Sequence, residues 1–153
     1  MFRKLISTAP MWTTVPLRIA LGVIFIAHGS QKLFGMWGGR GFSAFIGGEA
    51  PFSFMRPAWF WLGAAVFSEF LGGIFVLTGF LTRLGALIIA FVMLTAMLGV
   101  HWKNGFFLPI GMEYTLALLG IAIALLIAGG GRASVDEALL LRRTRSSSGG
   151  RRR

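Results

Sequence analysis

Apolar positions gather into four long runs, at residues 15–34, 59–80, 84–100 and 110–129, with polar and glycine-rich segments between them. A bilayer crossing needs about 20 apolar residues, so the pattern predicts an all-α membrane protein, a bundle of four transmembrane helices. Each run carries punctuation suited to a helix end. Pro16 stands in the first turn of the first run, Pro57 precedes the second, Pro109 opens the fourth, and Gly129, Gly130 and Gly131 close it. The one long connection, residues 35–57, is too short to cross twice as helix and mixes glycine with Phe42, Phe45, Phe52 and Phe54; it is expected to lie in the outer interface.

Composition agrees with a bilayer setting. The 153 residues are 56% hydrophobic and 13% charged, with a mean hydropathy of +0.77, whereas soluble domains run near ~45–50% apolar and ~25% charged. Little length is left for a separate soluble domain. The expected organisation is an N-terminal segment 1–14, a membrane domain 15–131 and a basic tail 132–153, largely disordered from Thr144 onward. The first run resembles a signal peptide in position, but it holds Arg18, His28, Gln31 and Lys32 and ends without a small-x-small cleavage site. It is expected to be retained.

Fifteen Lys and Arg against five Asp and Glu give a formal charge of +10. On a soluble protein that excess would point to nucleic acid; between apolar runs it reports topology and contact with anionic membrane lipid. Arg3, Lys4, Arg18, Arg83, Arg132, Arg142, Arg143, Arg145 and Arg151 to Arg153 would share one side, against Lys32, Arg40, Arg56 and Lys103 on the other. Both termini are therefore expected in the cytoplasm of a bacterium, on a multi-pass protein of the inner membrane. The chain has no cysteine, which excludes disulfides, thiolate metal sites and iron–sulfur clusters. A redox role would need a borrowed carrier.

An ionisable side chain at membrane depth costs roughly 2.5–3.5 kcal/mol to insert and so calls for a reason. Glu69 falls about 15 Å below the outer start of the second run, and His28 about 9 Å inside the outer end of the first. Gln31 and Lys32 follow His28 by one turn, while His101, Glu113 and Tyr114 stand at the outer ends of the third and fourth runs. Gly72 and Gly73, one turn past Glu69, would let a helix or a flat ligand approach closely. Two readings of Glu69 stay open, a structural ion pair with Lys32 or His28 and a proton-handling carboxylate. Two imidazoles and two carboxylates could in principle hold a metal, but no single helix carries a pair of ligands at helical spacing, and no metal is expected. Trp12, Trp37, Trp59, Trp61 and Trp102 all fall near run ends, as an interfacial belt requires.

Taken together, the segments His28-Gly29-Ser30-Gln31-Lys32-Leu33-Phe34-Gly35, Gly41-Phe42, Glu69-Phe70-Leu71-Gly72-Gly73, Gly79-Phe80-Leu81-Thr82-Arg83, Val100-His101-Trp102-Lys103-Asn104-Gly105-Phe106, Glu113-Tyr114 and Gly129 to Ser134 with Asp136 resemble the DoxX family of small bacterial membrane proteins. The resemblance implies a four-helix inner-membrane protein related to the DoxD-type subunit of thiosulfate:quinone oxidoreductase, in a family linked to membrane oxidoreductase complexes and to oxidative stress. The expected function is then a membrane component of a quinone-linked system. Glu69 and His28 would be the catalytic, proton-supplying groups, and Lys32, Gln31, His101, Glu113 and Tyr114 would bind the carrier. A scaffold for a soluble redox enzyme and a small transporter or channel, with a homo-oligomer in either case, are the alternatives; whether the chain turns over a substrate at all is left open.

Overall fold

The computed structural model describes residues 4 and 6–149, and among these the fold is helical throughout with no strand. Six α-helices follow one another: α1 (Thr14–Phe34), α2 (Gly41–Ile46), α3 (Ala58–Thr78), α4 (Thr82–Ala96), α5 (Glu113–Ala128) and α6 (Val135–Gly149). α1, α3 and the stretch Thr82–Asn104 are long and apolar enough to cross a membrane, and α5 is a shorter apolar helix of 16 residues. α4 reaches that length by running on through a π-helical turn, Met97–His101, and a 3-10 turn, Trp102–Asn104. α5 begins three residues later than the apolar run does, because the segment before it folds back on itself: the amides of Met112 and Glu113 donate to the carbonyls of Gly105 and Phe106. Residues 144–149, expected to be disordered, continue α6, and the rest of that tail, 150–153, lies outside the described residues.

Local chemistry explains the helix ends. α1 stops at Gly35 and α3 at Gly79, both in the left-handed region at φ +71° and +69°, which glycine adopts without steric cost. Beyond Gly79, the Phe80 amide returns to the Phe75 carbonyl and the Gly79 amide to that of Val76, closing α3 with paired backbone groups.

Glycine also sets the principal packing. α1 lies antiparallel against α3, and a Cβ on Gly22 would stand 2.7 Å from that of Leu77, one on Gly29 2.8 Å from the Phe70 Cα, and one on Gly73 2.8 Å from the Ile26 nitrogen. These small positions let two backbones meet where hydrocarbon offers no hydrophobic drive, leaving dispersion to hold the pair. The core then runs from Leu21 and Phe25 through Val76, Ile89 and Met93 to Leu118 and Leu125.

One end of the bundle is held by hydrogen bonds. Arg18, only 4% exposed, donates to the carbonyls of Gly130, Arg132, Ala133 and Leu77. Arg83 donates to Ser7, Leu126 and Ile127. Both arginines spend their donors on backbone carbonyls: those of Leu77, Leu126 and Ile127, which the ends of α3 and α5 leave without helical partners, and those of the loops before α1 and after α5. Asp136, from α6, accepts from the amides of Leu81 and Thr82 and from the Thr82 hydroxyl, and so caps the start of α4. These bonds gather the start of α1, the end of α3, the start of α4 and the end of α5, so the four apolar helices alternate in direction.

Replacing Gly73 by valine should cost about 1–3 kcal/mol of stability, because the branched side chain has no room against the α1 backbone. Gly120→Val on α5, where a Cβ meets nothing within 4 Å, should be nearly neutral in the same thermal-unfolding series in detergent. Equal effects would show that the α1–α3 contact is not close-packed in the membrane.

Candidate functional site

The antiparallel register of α1 on α3 carries Lys32, in the last turn of α1, alongside the middle of α3. Its ammonium stands 2.5 and 2.6 Å from the two Glu69 carboxylate oxygens and 5.1 Å from the centre of the Phe45 ring on α2, within cation–π range. Glu69 is buried and Lys32 keeps about a quarter of its side chain accessible. A carboxylate in an apolar wall is tolerated only with its charge answered at short range. Here the answer comes from the neighbouring helix.

This pair forms one wall of a cavity of about 370 Å³, within the ~300–1,000 Å³ usual for small-molecule sites. α3 contributes Trp61, Leu62, Ala64, Ala65 and Ser68, α4 and its extension contribute Phe91, Val92, Thr95, Ala96 and Val100, and the connection before α3 contributes Arg40, Phe45, Gly48, Glu49, Pro51 and Met55. Two cations, Lys32 and Arg40, face two carboxylates, Glu49 and Glu69, in a lining that is otherwise mostly apolar. Arg40 makes no ion pair among the described residues. Gly72 and Gly73 do not border the cavity: Gly72 packs on Ile89 of α4 and Gly73 on Ile26 of α1.

The remaining sequence candidates lie elsewhere. His28 is exposed on α1, Gln31 is half-buried, and neither lines the cavity. His101 places Nδ1 2.9 Å from the Ile110 carbonyl, and Glu113 accepts the Leu108 amide at 2.7 Å. Both hold the loop between α4 and α5, and Tyr114 is exposed at the start of α5. No three His, Asp or Glu side chains among the described residues are grouped as metal ligands. Arg40, Glu49, Ser68 and Thr95 were not candidates from sequence. The charged pair among them sits in a glycine-rich connection whose only signal was that two ionisable residues flank a short run containing Phe42 and Phe45.

Breaking the pair from one side should destabilise strongly. Lys32→Met or Glu69→Leu alone is expected to cost about 3–5 kcal/mol, whereas the double variant should recover most of that loss, since a missing pair is cheaper than a stranded buried charge. A double-mutant cycle by thermal unfolding measures this, and additive losses would mean that the two groups do not meet.

Comparison with known proteins places these residues in a family. The DoxX family model matches residues 13–102, which include α1, the connection, α3 and all of α4 with Lys32 and Glu69. A Bacillus subtilis (strain 168) protein named "Putative oxidoreductase CatD" is 35% identical over 112 residues, covering 73% of this chain and 77% of its own length. No solved structure gives a significant match.

Proposed function

Since the chain belongs to the DoxX family, we propose that it is the membrane component of a redox system and that the cavity beside Lys32 and Glu69 takes the ring of a quinone. A quinone would supply reversible electron uptake at two carbonyl oxygens, each of which needs a hydrogen-bond donor and, on reduction, a proton. The observation that carries the reading is an ion pair set into the wall of a ligand-sized, mostly apolar cavity. Two positive and two negative side chains in the lining suit a neutral guest better than an anion. Lys32 would hold a carbonyl oxygen through a charge-assisted hydrogen bond, and Glu69, joined to it, would hold the exchangeable proton. Phe45 and Trp61 offer flat faces for the ring. His28 and His101 have no part in this reading.

The same reading takes α1, α3, α4 with its extension, and α5 as four crossings of the bacterial inner membrane, with both termini in the cytoplasm. The alternating helix directions support it. α5, at 16 residues, is about 24 Å long, short for a ~30 Å hydrocarbon core, a mismatch that local thinning accommodates at modest cost. A scaffold reading is favoured by one feature, the completeness of the Lys32–Glu69 pair, which could lock α1 to α3 with no ligand involved.

A thermal-shift titration separates the two readings. Quinone added to the purified protein in mild detergent should raise its stability, by about 2.7 kcal/mol at one hundred times the dissociation constant. The Lys32→Met/Glu69→Leu double variant should fold but show no shift. A wild-type protein that neither co-purifies with quinone nor responds to it would leave the scaffold reading in place.

A further inference from the structure

The α3–α4 hairpin is tight at one end and parted at the other. Beside the turn, Gly72 packs on Ile89, and a Cβ on Gly85 would stand 2.9 Å from that of Phe75. Away from the turn, the cavity opens where α3 presents Ala64, Ala65 and Ser68. Above, the connection packs over the hairpin: a Cβ on Gly99 would lie 2.6 Å from that of Pro51, and Met55 is 6% exposed. A second depression shares Gly48, Glu49 and Met55 with the cavity, so the buried Met55 borders both. Lys32 and Glu69 close the back.

The remaining side faces outward. Ala64 lies on α3 in line with Phe60, Phe67 and Leu71, a row of exposed side chains at helical spacing. Phe91, 60% exposed, lies on α4 in line with Leu87 and Leu94, which are exposed as well. Both rows are apolar, as surfaces against hydrocarbon must be. One lining residue of the cavity therefore sits in each of the two lipid-facing rows, and the charged groups sit deep between them.

We propose that the ligand reaches this cavity sideways from the bilayer, through the gap between Ala64 and Phe91, and that it belongs to the class of carriers with a neutral ring head on a long hydrocarbon tail. The head lies toward Lys32 and Glu69, and the tail stays in the gap and the surrounding lipid. This rests on the quinone reading and narrows it, because a water-soluble ring without a tail gains nothing from such a gap.

Trp61 lines the cavity and reports on occupancy, because quinones quench indole fluorescence. The full-length protein in lipid nanodiscs is titrated with a menaquinone carrying a long isoprenoid tail and, separately, with menadione, which has the same ring and no tail, with Trp61→Phe as the background. The tailed quinone should quench Trp61 at a lower concentration in the bilayer than menadione. Ala64→Phe, which fills the gap without adding an indole, should weaken the tailed quinone by about tenfold, equivalent to ~1.4 kcal/mol, and leave menadione within about twofold. Phe91→Ala, which widens the gap, should speed release of the tailed quinone. If menadione quenches as well as the tailed quinone and Ala64→Phe changes neither, the sideways route is wrong while the quinone reading stands. If neither quinone quenches Trp61, both are wrong.

Discussion

The contact between α1 and α3 governs the rest of the bundle. Gly22, Gly29 and Gly73 let the two backbones approach until side chains have no room between them, and close contact of this kind tolerates one register only. That register delivers Lys32 to Glu69. Were α1 displaced along α3 by one turn, the ammonium would miss the carboxylate and the bilayer would hold two unanswered charges. The ion pair and the glycine contact thus select the same arrangement, one by attraction and the other by shape.

The bundle divides its polar groups between two ends with different jobs. At one end Arg18, Arg83 and Asp136 are spent mainly on backbone atoms: carbonyls at the ends of α3 and α5 and in the loop after α5, and amides left over at the start of α4. These charges solve a problem of helix termination. Among the described residues the Arg18 Nε is the one buried side-chain polar atom without a partner. At the other end the charges border empty space, and α3 and α4 part enough to leave a cavity between them. The bonds of Arg18, Arg83 and Asp136 tie the firm end together and leave the opposite end as the place where the fold can receive something.

Helix existence and approximate position along the chain were legible in the sequence because both follow from a one-dimensional rule, the length of an apolar run. α1 and α3 begin and end within two residues of their apolar runs. α4 departs at its end, where the run to residue 100 passes from α-helix into a π-helical turn after Ala96, and α5 at its start, since residues 110–112 are read as membrane helix but belong to a folded loop. Facing was harder. His28 and Lys32 lie at similar depth on one helix, and which of them meets α3 depends on the azimuth that the glycines select: Gly29 turns inward against Phe70, and His28, about 100° away around the axis, turns outward. Arg40 and Glu49 were hidden for another reason. They belong to a connection without periodicity, and only the folding of that connection over the α3–α4 gap brings these exposed side chains to the rim of the cavity. The meeting of Arg18 with the Gly130 carbonyl spans 112 positions, beyond any local pattern.

The grip of Asp136 on α4 changes what the C-terminal arm is for. A version of the chain ending after its last apolar helix would keep every hydrophobic run and still lose the acceptor for two amides and a hydroxyl at the first turn of α4. The loss would arise at the opposite end of that helix from the chamber wall it forms. Residues that look like an appendage in a hydropathy profile are therefore a keystone set from outside the arch, and shortening the protein for convenience would begin by loosening a helix that both the chamber and α5 lean against.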